Sequence, residues 1–176
     1  EMDIKYVYIP DSQKNAYLLT LLDVFSRKVV EYTLGYSIRK HHVIALLEAA
    51  LDRLPPVSGI TVRNDNGSQF IANDVREYLK GKQIYQEFTH VASPKENAHI
   101  EAFHSIIERE VILKCEYESL SELKAILERY YKFYNTERLH SGIDYLSPEK
   151  FLSRFNENNN KVLVQKGNKN CKKELT

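Results

Sequence analysis

The chain has 176 residues, of which 43% are hydrophobic and 28% charged, a balance that excludes a disordered or collagen-like protein and predicts one ordinary domain. Its 25 basic and 24 acidic residues give a net charge of +1, but residues 161–176 carry +4 and the other 160 residues −3. A nucleic-acid-binding protein with this acidic core must use local basic patches, bound cations or further parts of the protein.

The first part of the chain predicts an antiparallel meander of three strands. Residues 3–9 are rich in β-branched and aromatic side chains and end at Pro10. Residues 16–22 form a continuous apolar run, long enough for a strand that is buried on both faces. A turn over residues 23–28 then leads into a third strand over 29–36.

After the meander, helices alternate with short strands. A helical pattern over residues 40–54 is followed by a short strand at 59–63, and a second helical pattern over 73–81 by a strand at 84–88. The order strand, helix, strand, helix, strand predicts parallel strands joined by crossover helices.

The last part of the chain predicts helices. One helix has an apolar face from Ile100 to Val111, and Ser119 with Glu122 forms a capping box at the start of another. We expect these two helices to pack together, and a short final helix to begin near Ser147. Beyond it, residues 156–176 have little apolar content, and we predict a mobile Asn- and Lys-rich tail.

The termini, the apolar runs and the cysteines exclude several classes of protein. No run approaches the ~18 apolar residues of a membrane span. The start Glu1-Met2-Asp3 has no secretory signal features, and we expect a piece excised from a longer protein. Cys115 and Cys171 lie far apart, so they indicate neither a disulfide framework nor a metal knuckle, and a reducing cytoplasm is expected.

Three acidic residues occupy positions that suggest chemistry. Asp3 lies inside the first predicted strand, Asp65 follows a short strand in a turn, and Glu101 lies on a helix beside its apolar face. Each also has a structural explanation: an edge-strand charge for Asp3, turn chemistry for Asp65 and a solvated helix position for Glu101. Taken singly, each structural explanation is favoured, and the case for function depends on spacing and context together.

Five motifs occur in order along the chain. They are Asp3-Ile4, Leu22-Asp23-Val24-Phe25-Ser26-Arg27, Asn64-Asp65-Asn66-Gly67-Ser68-Gln69-Phe70, Glu96-Asn97-Ala98-His99-Ile100-Glu101-Ala102-Phe103, and Tyr134-Asn135-Thr136-Glu137-Arg138-Leu139-His140-Ser141 with Leu146-Ser147-Pro148-Glu149. Together they resemble an integrase catalytic core, and more narrowly the insertion-sequence transposases of the IS-three family, which are relatives of retroviral integrases. Thirty-five residues separate Asp65 from Glu101, the spacing typical of this family's Asp, Asp, Glu triad. The resemblance covers about residues 3–152.

The resemblance implies an RNase H-like α/β fold over residues 1–155. Its expected core is a five-stranded mixed sheet, an antiparallel meander plus parallel strands, flanked by helices. The triad maps onto Asp3, Asp65 and Glu101 as catalytic residues and as ligands of Mg²⁺ or Mn²⁺, with two ions when DNA is bound. By analogy Asp3 bridges both ions, and Asp65 and Glu101 each complete one. Carboxylate oxygens suit hard cations, and two cations ~4 Å apart stabilise the attacking and leaving oxygens of phosphoryl transfer.

The resemblance also suggests supporting or DNA-contacting residues. These are Asn97, Arg109, Arg138 and His140. Asn97 lies four residues before Glu101, hence on the same helical face, and its alternative role is helix capping. The family often has a basic residue seven positions after the catalytic Glu, where this chain has Glu108. We therefore expect either that Arg109 substitutes by a small rotation or that the contact with DNA is weaker here.

Other polar residues near the triad are given structural roles. Asp23 also ends a buried strand, but we interpret it as a turn acid that accepts hydrogen bonds from Ser26 or Arg27. His99 and His104 show no zinc-site spacing and are interpreted as surface or packing residues. Residues 88–95 resemble the mobile loop that precedes the catalytic Glu in this family.

The sequence therefore predicts the catalytic core of a DNA transposase, which nicks the ends of an element and joins them to target DNA by metal-dependent transesterification. Its expected partners are transposon-end and target DNA and further copies of itself on DNA, without a membrane, in the cytoplasm at the nucleoid. Two alternatives stay open: an RNase H-like nuclease that only hydrolyses, and an inactive relic that binds DNA or a partner. The intact triad argues against a relic, whereas Glu108 and the acidic core argue mildly for one.

Overall fold

The computed structural model describes residues 1–54, 59–89 and 97–171, with side chains up to residue 159. The predicted meander is confirmed. Its strands are β1 (Met2–Ile9), β2 (Lys14–Leu22) and β3 (Val29–Gly35), paired antiparallel in the order β1-β2-β3. Two further strands, β4 (Thr61–Asn64) and β5 (Tyr85–Phe88), pair in parallel, as the crossover pattern predicts.

Helices connect and cover these strands. In the described part of the chain they are α1 (Lys40–Arg53), α2 (Ser68–Ile71), α3 (Asn73–Gly81), α4 (Ala98–Ile107), α5 (Leu120–Thr136) and α6 (Pro148–Cys171). A π-helical turn over Glu108–Ile112 directly follows α4. A short 3-10 turn over Ser141–Ile143 lies between α5 and α6. The predicted capping box of α5 is present, with the Ser119 and Glu122 side chains each bonded to the other's backbone.

The continuous apolar run of β2 is buried on both faces. Leu18 and Leu19 are both fully buried, and because successive side chains of a strand point to opposite faces they enter two different cores. Leu18 packs in a core with Phe103 of α4 and Leu127 of α5. Leu19 packs in a core with side chains of α1 and α3, such as Leu47. The meander is therefore the middle layer between two layers of helices.

The expected single five-stranded sheet is corrected by the structure. The strands divide into a three-stranded antiparallel ladder and a separate two-stranded parallel ladder. β1 lies beside β4, but no hydrogen-bonded ladder joins these two strands, whose residues are all described. Hydrophobic periodicity identifies where strands occur and does not identify their partners, which is why the sequence could not show this division.

The final helix is longer than expected. α6 begins at Pro148, close to the predicted start, but it runs on to Cys171 through most of the segment 156–176. That segment has no proline to interrupt a helix. The division into a domain over 1–155 and a mobile tail over 156–176 stays a prediction.

Candidate active site

Asp3 lies on the face of the meander that α4 and α5 cover. Val7 and Ile9, four and six positions further along β1, project to the same face and are buried in the core with these helices. The Asp3 side chain is only 24% exposed. Burial raises the pKa of the Asp3 carboxyl to about 6, and the negative charges of Asp65, Glu101 and Glu1 add to this shift. Asp3 is therefore an acid held in an unfavourable environment for its charge, close to other acids.

Asp65 follows the last residue of β4 in a turn that neighbouring backbone groups hold in place. Its Oδ1 accepts a hydrogen bond of 2.9 Å from the backbone N–H of Gly67, an Asx turn. Asn64, fully buried, donates from Nδ2 to the Asp65 carbonyl at 2.7 Å and accepts at Oδ1 from Gln86 of β5. Asn66 donates to the carbonyl of Thr89. The parallel pairing of β4 with β5 thus orients the turn that presents Asp65.

The turn also leaves little room at Gly67. A Cβ atom at this position would overlap the side-chain amide of Gln69 and lie 3.0 Å from Oδ1 of Asp65. The glycine in this motif therefore permits the close approach of its backbone to the Asp65 carboxylate.

Glu101 lies exposed in the first turn of α4, and its backbone is fixed at both sides. Its N–H donates to the Asn97 carbonyl at 3.0 Å, and its own carbonyl accepts from the Ser105 hydroxyl at 3.0 Å. A carboxylate at a helix N-terminus is favoured by the helix dipole. The side chain itself is free to turn toward Asp3.

The start of α4 is anchored by a residue that sequence reasoning did not single out. The Glu1 carboxylate is 1% exposed and accepts a hydrogen bond of 2.8 Å from the backbone N–H of Ile100. Nδ1 of His99 and Nη1 of Arg63 lie 3.3 Å and 3.6 Å from its Oε1. Glu1 thus joins β1, β4 and α4, the three elements that carry the predicted triad. Two features of the sequence could have pointed to this role of Glu1: its position beside the first strand, and an acidic residue directly before the apolar Met2.

The three predicted acids are near enough for the charges of Asp65 and Glu101 to raise the pKa of Asp3, but their oxygens do not form a metal cage. The charges of Asp65 and Glu101 act directly on Asp3. Among the side chains that the structure describes, no three His, Cys, Asp or Glu stand close enough to hold a metal ion as they are. Asp65 and Glu101 are exposed and able to rotate, and three carboxylates are a donor set that suits Mg²⁺ or Mn²⁺. The residues present therefore fit a divalent cation.

His104, one turn beyond Glu101, is a neighbour of Asp3 rather than a surface residue. It is 9% exposed, and its Nδ1 lies 3.5 Å from Oδ2 of Asp3. Burial lowers the pKa of His104 to about 4, and the positive charge of Lys5 acts in the same direction. The contact is therefore between a neutral imidazole and the acid at neutral pH. The packing role that the sequence predicted for His104 is consistent with this burial.

Asn97 stands at the start of α4 but does not cap it with its side chain. It is 8% exposed, and its Oδ1 is buried without a hydrogen-bond partner among the described groups. Its backbone carbonyl, by contrast, accepts from Glu101. A supporting role for Asn97 near Glu101 therefore remains a proposal, and the capping alternative is not observed for its side chain.

Glu108 and Arg109 lie in the π-helical turn and have different surroundings. The Glu108 carboxylate lies 2.8 Å from the Lys5 ammonium on β1, while Arg109 is exposed and lines a surface groove beside α4. A π-helical turn is wider than an α-helical one and so shifts the direction of the following side chains. Whether Arg109 takes the place of a basic residue at position 108, or the contact with DNA is weaker here, stays a prediction.

Arg138 and His140 are held by contacts within the protein. Arg138 donates from Nε and Nη2 to both oxygens of Glu110, at 2.6–3.1 Å, and its guanidinium lowers the pKa of Glu110 to about 2. His140 is 8% exposed and packs edge-on against Tyr134, with ring centroids 4.6 Å apart. Burial lowers the pKa of His140 to about 4. Arg138 still lines the groove beside α4, whereas His140 carries no charge at neutral pH.

Asp23 has the turn role that the sequence predicted. Its oxygens accept from the backbone N–H groups of Phe25 and Ser26 and from the Ser26 hydroxyl. Arg27 donates instead to the Val24 carbonyl at 2.6 Å. Residues 90–96 lie outside the described part of the chain, and with them most of the predicted mobile loop over 88–95.

A family model described as an integrase core domain matches residues 1–94, more than half of the chain, and a second model of the same description matches residues 82–148. The chain belongs to the integrase core family. The resemblance inferred from the five motifs is thereby confirmed, and the fold of this integrase core is RNase H-like as expected.

Relatives and solved structures agree with this membership. The transposase for insertion sequence element IS904 of Lactococcus lactis subsp. lactis (strain IL1403) is 31% identical over 145 residues, covering 82% of this chain and 57% of the relative. An uncharacterized 31 kDa protein of insertion element IS600 from Shigella sonnei is 24% identical over 151 residues, covering 85% and 56%. The chain spans about half the length of the curated relatives it matches.

The fold of this integrase core is also that of retroviral cores. The HTLV-2 integrase catalytic core domain in complex with magnesium matches with a TM-score of 0.64 and 14% identity, covering 85% of this chain and 93% of that one. Within the described residues, no helix has both the length and the apolar character needed to cross a membrane.

Proposed function

We propose that this chain is the catalytic core of a DNA transposase that cleaves the ends of a mobile element and joins them to target DNA. The observation that carries the proposal is the electrostatic coupling of Asp3 with Asp65 and Glu101, three acids from three separate elements. Membership of the integrase core family and the similarity to a transposase over 82% of the chain support it.

Asp3, Asp65 and Glu101 would hold the metal through their carboxylate oxygens. When bound, Mg²⁺ or Mn²⁺ supplies an activated water or 3′-hydroxyl and stabilises the departing oxygen. The HTLV-2 relative was solved with magnesium, which supports this choice of cation.

The protein's own groups prepare the site in distinct ways. Burial and the neighbouring acids raise the pKa of Asp3 to about 6, so its negative charge is disfavoured unless a cation offsets it. The Gly67 N–H directs one oxygen of Asp65, and the second accepts no hydrogen bond from the described groups. Glu1 fixes the start of α4 through Ile100. The last carboxylate, Glu101, is exposed, and in this proposal a rotation of its side chain would bring it to the other two.

The partners proposed for this core are transposon-end DNA, target DNA and further copies of the chain assembled on DNA, in the cytoplasm at the nucleoid. Of the two alternatives, a nuclease that only hydrolyses is less favoured because the motif from Tyr134 to Ser141 matches the transposase pattern. An inactive relic is less favoured because the triad is intact and the π-helical turn brings Arg109 to the groove.

A Mn²⁺-dependent nicking and joining assay tests the proposal. The substrate is a labelled duplex that carries the element's end, mixed with target DNA. We expect the parent to give joined product, and Asp65→Asn to lose both nicking and joining while keeping its fold, because Asn tolerates the same turn. Asp23→Asn is the control, expected to lower stability through its lost turn hydrogen bonds and to retain joining. Nicking without joining by the parent would favour the hydrolytic alternative, and joining by Asp65→Asn at the parental rate would refute the proposed mechanism.

A further inference from the structure

A groove of about 430 Å³ runs along one flank of α4. His99, Ala102, Ile106 and Arg109 line it from α4 and the following turn, at the spacings of one helical face. Arg109 lies eight residues beyond Glu101, which is about 12 Å along a helix that rises 1.5 Å per residue. The groove therefore runs along the helix that carries Glu101, on the flank of α4 away from His104 and its contact with Asp3.

The charged residues of this groove are cationic. Arg27 reaches it from the turn after β2, Arg109 from the π-helical turn and Arg138 from the segment after α5, and none of the described residues that line it is acidic. Glu110 is bound to Arg138 and offsets one of these three charges. Arg109 forms no ion pair among the described contacts and is exposed. In a chain whose first 160 residues carry −3, this cluster is a local patch of the kind that a polyanion requires.

The opposite wall presents an aromatic ring. Tyr145 is 69% exposed and lines the groove. Asp144 and Tyr145 both adopt left-handed backbone conformations, with φ of 57° and 53°, which cost energy for residues other than glycine. The bridge between His140 and Leu146 closes this short loop and holds the two residues in place. The strained loop thus keeps a large ring in solvent beside three arginines.

We infer that this groove binds one unpaired nucleotide of a DNA strand held by this core, with its phosphate at Arg27 and Arg109 and its base stacked on Tyr145. This inference rests on the proposed function. A volume of about 430 Å³ lies in the lower part of the range of small-molecule binding pockets, and it is too small to hold a DNA duplex. Cationic grooves with an exposed ring are the general means of binding single strands, since every base has a face that can stack.

Binding of a short fluorescent oligo(dT) strand without any divalent metal tests this inference. Fluorescence anisotropy would give the affinity of the chain at several salt concentrations. We expect Arg109→Gln to weaken binding several-fold and to reduce the slope of log affinity against log salt by about 0.7, the value for one phosphate contact on a single strand. Lys80→Gln is the matched control, because Lys80 is an exposed cation on α3, which contributes nothing to the groove.

A second pair of variants tests the stacking. Tyr145→Asn keeps a residue type that tolerates the left-handed conformation and removes the ring, so we expect single-strand binding to fall at least about five-fold with an unchanged salt slope. Tyr145→Phe retains the ring and should bind as the parent does. Circular dichroism melts would show that the fold is kept, and a hairpin duplex of the same length should lose less affinity in Tyr145→Asn than the single strand does.

The inference is overturned if Arg109→Gln behaves like Lys80→Gln, or if Tyr145→Asn binds the single strand like Tyr145→Phe. It is also overturned if Tyr145→Asn loses equal affinity for the single strand and the hairpin, since the ring would then not contact an unpaired base. Because no metal is present, these results are independent of whether Asp65→Asn abolishes joining. A failure of the groove and a failure of the catalytic proposal are therefore distinguishable.

Discussion

Arg138 donates hydrogen bonds to both carboxylate oxygens of Glu110, a residue 28 positions earlier in the chain. The shortest of them joins Nη2 of Arg138 to Oε1 of Glu110 at 2.6 Å. The Tyr130 hydroxyl donates to the same carboxylate at 2.6 Å. Two-point pairing of this kind is directional and stronger than a single contact. The pair ties the π-helical turn after α4 to the segment after α5, and so joins two walls of the groove.

This ion pair predicts an acid-dependent loss of stability. The pKa of Glu110 falls from its usual value of 4.5 to about 2 in the folded protein. The stabilisation is therefore present above pH 4.5 and is lost as the pH falls from 4.5 toward 2. We expect Glu110→Gln to lower the free energy of unfolding by about 1–2 kcal/mol at pH 7, after allowing for partial exposure, and by much less near pH 2. Urea unfolding at both pH values measures this, and an equal loss at both would contradict it.

Asp3 predicts the opposite dependence on pH. Its folded pKa of about 6 lies above the usual 3.8, so the folded state binds this proton more tightly than the unfolded state. Ionised Asp3 therefore lowers stability above pH 6, and this penalty disappears as the pH falls toward 3.8. We expect Asp3→Asn to be more stable than the parent by about 1–3 kcal/mol at pH 8 and nearly equal to it near pH 4. Urea unfolding curves measure the difference, which should not grow with acidification.

The same acids predict weak and pH-dependent metal binding. Without DNA phosphates the site offers few ligands and mutually repelling carboxylates. We expect Mg²⁺ or Mn²⁺ to raise the melting temperature only at millimolar concentrations, more at pH 8 than at pH 5, because the cation displaces the proton of Asp3. Asp3→Asn should abolish this shift, whereas Asp23→Asn should keep it. Calorimetric binding in the nanomolar range would be inconsistent with this account.

Glu1 predicts a structural effect at the start of α4. Glu1→Ala removes the acceptor of the Ile100 N–H in a buried position, and an unsatisfied buried donor costs about 1–3 kcal/mol. Glu1→Gln keeps an acceptor oxygen and should lose less. Urea unfolding compares the two, and hydrogen exchange should show faster exchange at the first turn of α4 in Glu1→Ala. Equal stability of the alanine and glutamine variants would show that the hydrogen bond contributes nothing.

The sequence by itself determined the family and the order of the predicted elements, and it proposed the three acids. Short sequence patterns predict three features: the strand over 16–22, the capping box at Ser119 and the turn around Asp65. They do so because apolar periodicity and turn chemistry act over a few neighbouring residues. The role of Asp23 in its own turn was predicted for the same reason.

Only the tertiary structure decided which of these residues meet. The division of the strands into two ladders, the burial of His104 beside Asp3 and the anchoring of α4 by Glu1 depend on contacts between distant segments, which periodicity does not record. The π-helical turn that carries Arg109 is a further case, since it contacts α5 and is linked to β1 by the Lys5–Glu108 ion pair. Interactions between residues close in sequence specify the helices, the strands and the candidate functional residues. The packing of distant elements decides which of these residues become neighbours, and burial and neighbouring charges then shift their pKa values.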